Sequence, residues 1–248
     1  MHKKKIIYIL IVTHNNQNSL KKLINDLSSC NYSNYLKVIL INDCKKKIKI
    51  KNKTIKKIIN LDGDQYWFKS MNIGLKYLFH NKKISKNDYL VWLNDDCRIY
   101  DKNYFIKIIN ISKKISNIFY VPYVFFDGEK KAEFKLIKKF NFLLFNINHN
   151  ISLSPRGVCS SIKNYQKVGY FDETFNLAFS DILYFFKARC MGFKLHGLKK
   201  NILFGGSKTA LRDQKNLKNI LFNLNSKSNI YRKLSFYLSL YWIFFSVK

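Results

Sequence analysis

Negative charge is what this sequence has least of. Fifteen acidic side chains stand against 45 basic ones in 248 residues, a formal charge of +30. Arginine is scarcer still: it occupies positions 98, 156, 189, 212 and 232, so the basic excess is almost all lysine. Readers of nucleic acid lean on planar arginine forks for bidentate contacts, and so few forks argue against a nucleic-acid partner. Alanine stands at only four positions while Lys, Ile and Asn crowd the chain. That is the bias an AT-rich genome imposes, and it puts most of the charge on solvated faces. No apolar run reaches the roughly 20 residues of a membrane-spanning helix. The run after Met1-His2-Lys3-Lys4 stops at Thr13-His14-Asn15-Asn16, and no small-residue cleavage site follows. A cytoplasmic protein, either soluble or peripheral at the inner face of the plasma membrane, is therefore expected. The five cysteines (30, 44, 97, 159 and 190) form no C-x-x-C, and the five histidines no H-x-x-x-H. These absences argue against zinc sites and dithiol redox chemistry and predict reduced thiols.

What is present suits a core. The chain is 47% hydrophobic and 16% aromatic, enough for one or two domains and incompatible with a disordered polyelectrolyte. Residues 5–13 (KIIYILIVT), 36–43 (LKVILIND) and 88–93 (DYLVWL) are apolar runs typical of strands buried on both faces, and 57–61 reads as a short strand. Residues 19–27 place Leu20, Leu23, Ile24 and Leu27 at helical spacing, and 67–79 do the same with Met71, Leu75 and Leu78. The lysine-rich stretch 45–57 reads as a solvated connection with some helix. Beyond residue 100 the pattern is less regular. Asp101 reads as the N-cap of a helix through Ile111, and 118–126 as a strand ending in a turn at Asp127-Gly128. Residues 157–162 read as a strand of small residues followed by a short helix to Val168, and 181–191 as an amphipathic helix stopped by Gly192. Segment 133–154, aromatic and basic, carries no clear assignment. The order predicts an α/β fold, a mostly parallel central sheet flanked by helices, with a C-terminal helical, aromatic-rich tail over 206–248.

In so basic a chain the few acids are informative by position. Asp43, Asp62, Asp64, Asp95, Asp96, Asp172, Glu173 and Asp181 fall where strands end or helices begin. Open parallel sheets bind ligands at the carboxyl ends of their strands. Thr13, Asp43 and Asp95-Asp96 each follow an apolar strand, so one sheet edge gathers them. Taken singly, each also fits an ordinary cap or turn. Asp95-Asp96 is the sharpest case, because adjacent carboxylates repel unless a cation sits with them, and Arg98 is the cation nearest in sequence. Magnesium and manganese favour few carboxylates plus phosphate oxygens, so this pair suits a metal–diphosphate ligand.

Five segments carry a resemblance: LIVTHNNQNSLKKLI, VILINDCKK, GDQYWFKSMNIGL, DYLVWLNDDC and KVGYFDETFNLAFSDILYFFKARCMGFK. In this order and spacing they resemble the inverting GT-A glycosyltransferases of family 2, in the bacterial surface-polysaccharide and rhamnosyltransferase-like group. The resemblance implies a GT-A (Rossmann-like) domain over 1–205, with 1–100 the nucleotide-sugar-binding half and 101–205 the acceptor half. It implies donor-nucleotide contacts from Thr13, Asn15, Asp43, Gly63, Asp64, Asn72 and Asp95, with Thr13 and Asp43 at the base. Asn94-Asp95-Asp96 fills the D-x-D position, with Asp96 the ligand of Mg2+ or Mn2+. Asp181, in the sequence FSD, matches the catalytic base. Three departures stand out: Asn94 opens the D-x-D slot, Lys187 replaces a frequent Arg, and Phe204 stands near a common metal-binding His, with His196 out of register.

The implied reaction moves a sugar from a UDP- or dTDP-sugar to a glycan or lipid-linked saccharide, with inversion. An alcohol is a poor nucleophile, so a carboxylate must take its proton, and a helix N-terminus would keep Asp181 ionised for that task. A metal on Asp96 would offset charge on the leaving diphosphate. The tail 231–248 (YRKLSFYLSLYWIFFSVK) joins Arg232, Lys233 and Lys248 to seven aromatic side chains. It is too short to span a bilayer and suits either its interface or packing on the domain. A GT-A-like binding module of weak activity and a basic nucleic-acid-binding protein remain the alternatives.

Overall fold

The computed structural model describes residues 5–112, 117–126, 156–173 and 180–205. Segment 133–154, the turn at Asp127-Gly128 and the tail 206–248 lie outside the described residues. The chain runs β1 (Ile7–Thr13), α1 (Gln17–Ser29), β2 (Leu36–Asn42), β3 (Ile55–Asn60), α2 (Tyr66–His80) and β4 (Tyr89–Asn94). It continues through α3 (Tyr104–Ser112), β5 (Ile118–Phe126), β6 (Cys159–Ser161), α4 (Ile162–Val168), α5 (Ser180–Cys190) and β7 (Lys194–Gly205). The strands form one seven-stranded sheet in the order β3-β2-β1-β4-β6-β5-β7. Only β6 runs against its neighbours, so the sheet is mostly parallel, and helices flank it.

β1 shows why the apolar runs become central strands. All of its residues are buried, and successive side chains point to opposite faces. Ile7, Ile9 and Ile11 join Leu20, Leu23, Ile24 and Leu27 of α1 and Tyr104, Phe105 and Ile108 of α3 in one core. The opposite face is covered by α2, α4 and α5 around Trp92, whose ring lies 4.7 Å from Tyr165, 4.8 Å from Phe171 and 5.1 Å from Tyr184. A strand between two such cores leaves little room for a polar residue before its end.

The structure corrects three local readings. The stretch 45–57 contains no helix: Asn42 donates from its amide to the carbonyls of Cys44 (3.5 Å) and Lys46 (2.9 Å), while Asn60 accepts from the Ile48 amide (3.0 Å). Side-chain bonds to the backbone replace the helical ladder there. Asp101 is not a helix cap. It forms a turn ahead of the helix, accepting from the Asn103 amide (2.9 Å) and pairing with Lys107 (2.5 Å), and α3 begins at Tyr104. Residues 194–205, read as no element, form the long strand β7 beside β5. No helix among the described residues is long and apolar enough to cross a membrane.

Candidate functional site

The order β2-β1-β4 makes β1 the point where the chain's winding reverses, and such a switch point opens a crevice at the carboxyl ends of the strands. Register sets Thr13 beside Asn42 and Val12 beside Asn94, so the residues that leave all three strands meet at one edge. Thr13, itself buried, donates from Oγ1 to Asp95 Oδ2 at 2.6 Å, and Asn16 donates from Nδ2 to Asp95 Oδ1 at 3.3 Å. The His14 amide also bonds this carboxylate. Burial, the largest influence, pushes the Asp95 carboxyl up to about 6; the Thr13 bond opposes it and the charge of Asp96 adds to it.

This has a measurable consequence. A carboxyl raised above its unfolded value of 3.8 stabilises the fold below that value and loses the contribution as pH rises through about 6. In ligand-free protein, the unfolding free energy of wild type minus that of Asp95→Asn is expected to fall by on the order of 2–3 kcal/mol between about pH 4 and pH 7. Urea titration at each pH measures it. A difference that stays flat with pH would place Asp95 in the ordinary carboxylate range.

A second knot lies across β1 from the first. The Asp43 amide donates to the Thr13 carbonyl (2.9 Å), and Asp43 Oδ1 accepts from the Gln65 amide (3.2 Å). His14 Nδ1 bonds the Asp43 carbonyl, and the Cys44 thiol donates to Asn15 Oδ1 (2.7 Å). Gly63 has a φ of +102°, and a Cβ there would stand 3.2 Å from the Lys45 nitrogen, so only glycine lets this loop pass so close to the strand end. Thr13, Asn15, Asp43 and Gly63 are thereby brought together, with Asp64 exposed beside them.

Asn72 and Asp181 sit elsewhere on the same side of the sheet. The Asn72 amide is fully engaged: it donates to the Phe171 carbonyl (3.0 Å) and Glu173 Oε1 (2.8 Å) and accepts from the Phe171 amide (2.9 Å). It clamps α2 to the 171–173 loop. Asp181 opens α5 in its first turn, and one turn later Tyr184 packs on Trp92, two residues before Asn94 on β4. His196 is in register with Tyr120, Cys159 and Val91, short of the strand ends, and Phe204 pairs with Phe125.

The cation beside the carboxylate pair is not Arg98. That guanidinium is held by Asp26 of α1 in a fork at 2.7 and 3.0 Å. Arg156, from the turn before β6, lies 3.7 Å from Asp96 Oδ2 instead. Sequence reasoning missed Arg156 and Asn16; the signals were an arginine in a chain of lysines and a second amide in the run after Thr13. Among the described residues no group of three or more His, Cys, Asp and Glu is placed to hold a metal. The donor set still fits a hard cation that completes its shell with phosphate oxygens. Asp96 supplies a carboxylate, and Asn94 Oδ1 is a buried acceptor with no partner among the described residues.

No family model and no curated protein matches this sequence. Solved structures do match in fold. TarS from S. aureus aligns over 89% of this chain at 14% identity with a TM-score of 0.61, and TarS 1–349 in complex with UDP-GlcNAc aligns over 89% at 14% identity with a TM-score of 0.62. The mannosyltransferase PcManGT from Pyrobaculum calidifontis, in complex with GDP-Man and Mn2+, aligns over 90% at 8% identity with a TM-score of 0.58. The chain spans 40%, 66% and 63% of the lengths of these three chains, respectively. The likeness establishes the fold, the GT-A (Rossmann-like) α/β architecture.

Proposed function

We propose that the chain is an inverting glycosyltransferase that takes a sugar from a UDP- or dTDP-sugar and delivers it to a glycan or lipid-linked acceptor of the bacterial envelope. The observation that carries this reading is the gathering of Thr13, Asp43 and Asp95-Asp96 at the carboxyl edge of the sheet where the winding reverses. Solved structures of the same fold hold UDP-GlcNAc and GDP-Man, which supports a nucleotide-sugar donor. In this reading Thr13, Asn15, Asp43, Gly63 and Asp64 seat the nucleoside, Asn72 fixes the wall behind it, and Asp95 braces the β1 and β4 ends through Thr13. Asp96 holds Mg2+ or Mn2+, which supplies Lewis-acid stabilisation of the leaving diphosphate when bound. Asp181 accepts the proton of the acceptor hydroxyl. The aromatic tail 231–248, with its flanking cations, would keep the enzyme at the interface where a lipid-linked acceptor resides.

A nucleotide panel tests the reading. With Mn2+ present, UDP or dTDP at about 100 times its dissociation constant is expected to stabilise wild type by roughly 2.7 kcal/mol in thermal unfolding. The matching sugar nucleotide is expected to hydrolyse slowly. Asp96→Ala should lose most of both responses while keeping the ligand-free melting temperature within a few degrees. Failure of every nucleotide to stabilise the wild type would remove the proposal.

A further inference from the structure

We propose that Tyr66 is a stacking platform for the donor's pyrimidine base, a specificity-determining residue at the edge of the site where Asp43 stands. The inference rests on the nucleotide-sugar reading above. Backbone bonds fix its position. The Leu61 amide donates to the Asn42 carbonyl (2.8 Å), Gly63 passes close against Lys45, and the Gln65 amide donates to Asp43 Oδ1 (3.2 Å). Tyr66 follows that last bond directly and opens α2, one residue beyond the pin on the carboxylate assigned to the base. On its other side Trp67 packs on Phe68 and Phe171, with ring centroids at 4.9 and 5.7 Å. Residue 66 is therefore held from both directions.

Tyr66 is held there against its own backbone preference. Its φ is +57°, in the left-handed region that a Cβ makes costly and a bulky side chain tolerates badly. The other non-glycine residues with positive φ among the described residues are Asn15 and Asn117, and asparagine accepts this conformation more easily. Glycine at 66 would relax the turn. The tyrosine ring gives the fold little in return. It is 49% exposed, and among the described residues it has no ring, cation or hydrogen-bond partner. Tyr100 and Tyr170, the other exposed tyrosines among the described residues, have cations over them: Arg98 at 5.2 Å and Lys76 at 5.8 Å. A strained backbone kept under a bulky, unpartnered ring points to a ligand rather than to stability. An aromatic face next to a carboxylate suits a pyrimidine base. The ring stacks on the base plane, and the carboxylate accepts from the N–H at its edge.

Tyr66→Gly, Tyr66→Leu and Tyr66→Phe test this. Calorimetry with UDP, dTDP, UDP-glucose and dTDP-glucose, all with Mn2+, and ligand-observed NMR with uridine give the affinities. Tyr66→Gly and Tyr66→Leu are expected to weaken the nucleoside diphosphate, its sugar nucleotide and uridine alike, roughly 5- to 100-fold, the range that stacking on one base spans. Tyr66→Phe should bind within about threefold of wild type, because it keeps the ring. The ligand-free melting temperature of Tyr66→Gly should stay at or above that of wild type, since glycine accepts the left-handed turn. Leucine that restores binding as fully as phenylalanine would overturn the inference, because bulk alone would suffice. So would unchanged binding in Tyr66→Gly, or a loss confined to the sugar nucleotides. A melting temperature more than a few degrees lower in Tyr66→Gly would also overturn it, by making the ring a packing group. Each of these outcomes leaves the glycosyltransferase reading intact, whereas a wild type that binds no nucleotide would overturn both.

Discussion

Asp181→Asn is expected to lower turnover of the donor by roughly 10²- to 10⁴-fold while leaving donor affinity within a few-fold of wild type. The two effects separate because the site is built in two parts. The proposed donor contacts come from the ends of β1, β2 and β4, whereas the proposed base, Asp181, comes from α5, held to the sheet by Tyr184 and Phe185 against Trp92 at 5.1 and 5.9 Å. Asparagine keeps the shape and the preference for a helix start but cannot accept a proton. The change therefore removes the proposed base without moving the helix that carries it. Release of UDP from the sugar nucleotide that stabilises the wild type supplies the rate, with water as acceptor, and calorimetry supplies the affinity. Turnover at the wild-type rate would show that another group is the base. A joint collapse of turnover and affinity would move Asp181 into the donor site. Asp96→Ala is expected to differ from Asp181→Asn by losing affinity first, and that contrast assigns the two carboxylates their separate tasks.

The parts of this arrangement that were legible in the sequence are those fixed by burial. β1, β2 and β4 sit between two layers of helices, so nearly every position before the strand end is apolar and the runs announce themselves. Thr13 and Asp95 stood out as polar residues ending such runs, and the fold joins them by a 2.6 Å bond. What was not legible depends on partners distant in sequence. β7 reads KLHGLKKNILFG, where Gly197 and the lysine pair 199–200 break any alternation; it is a strand because β5 lies parallel to it, with a register shift between Pro122 and Tyr123. The cation at the carboxylate pair was sought three residues away, at Arg98. The fold gives that side chain to Asp26, 72 positions earlier, and brings Arg156 across from β6. Sequence proximity does not say which way a side chain leaves a loop, and hydrogen-bond competition decides it.

Trp92→Ala is expected to cost about 3–5 kcal/mol, a large share of the roughly 5–15 kcal/mol that holds a domain together. The indole is fully buried at the centre of an aromatic cluster, with Tyr165, Phe171, Tyr184 and Phe185 at 4.7, 4.8, 5.1 and 5.9 Å. These rings come from α4, the 171–173 loop and α5, so the cavity left by alanine would open between elements that cannot all collapse inward together. Trp92→Phe is expected to cost less than half as much. Its ring fills most of the space, and the Trp92 Nε1 donor is buried without a partner among the described residues, a penalty of about 1–3 kcal/mol that phenylalanine does not carry. Urea unfolding followed by far-UV circular dichroism gives both values. The same pair of variants links the core to the site, because Trp92 lies two residues before Asn94 and supports α5 under Asp181. Trp92→Ala should weaken nucleotide binding and turnover together, and Trp92→Phe should keep both near wild type. A cost below about 1 kcal/mol for the alanine variant would mean that the cluster does not anchor α5 and β4 to each other.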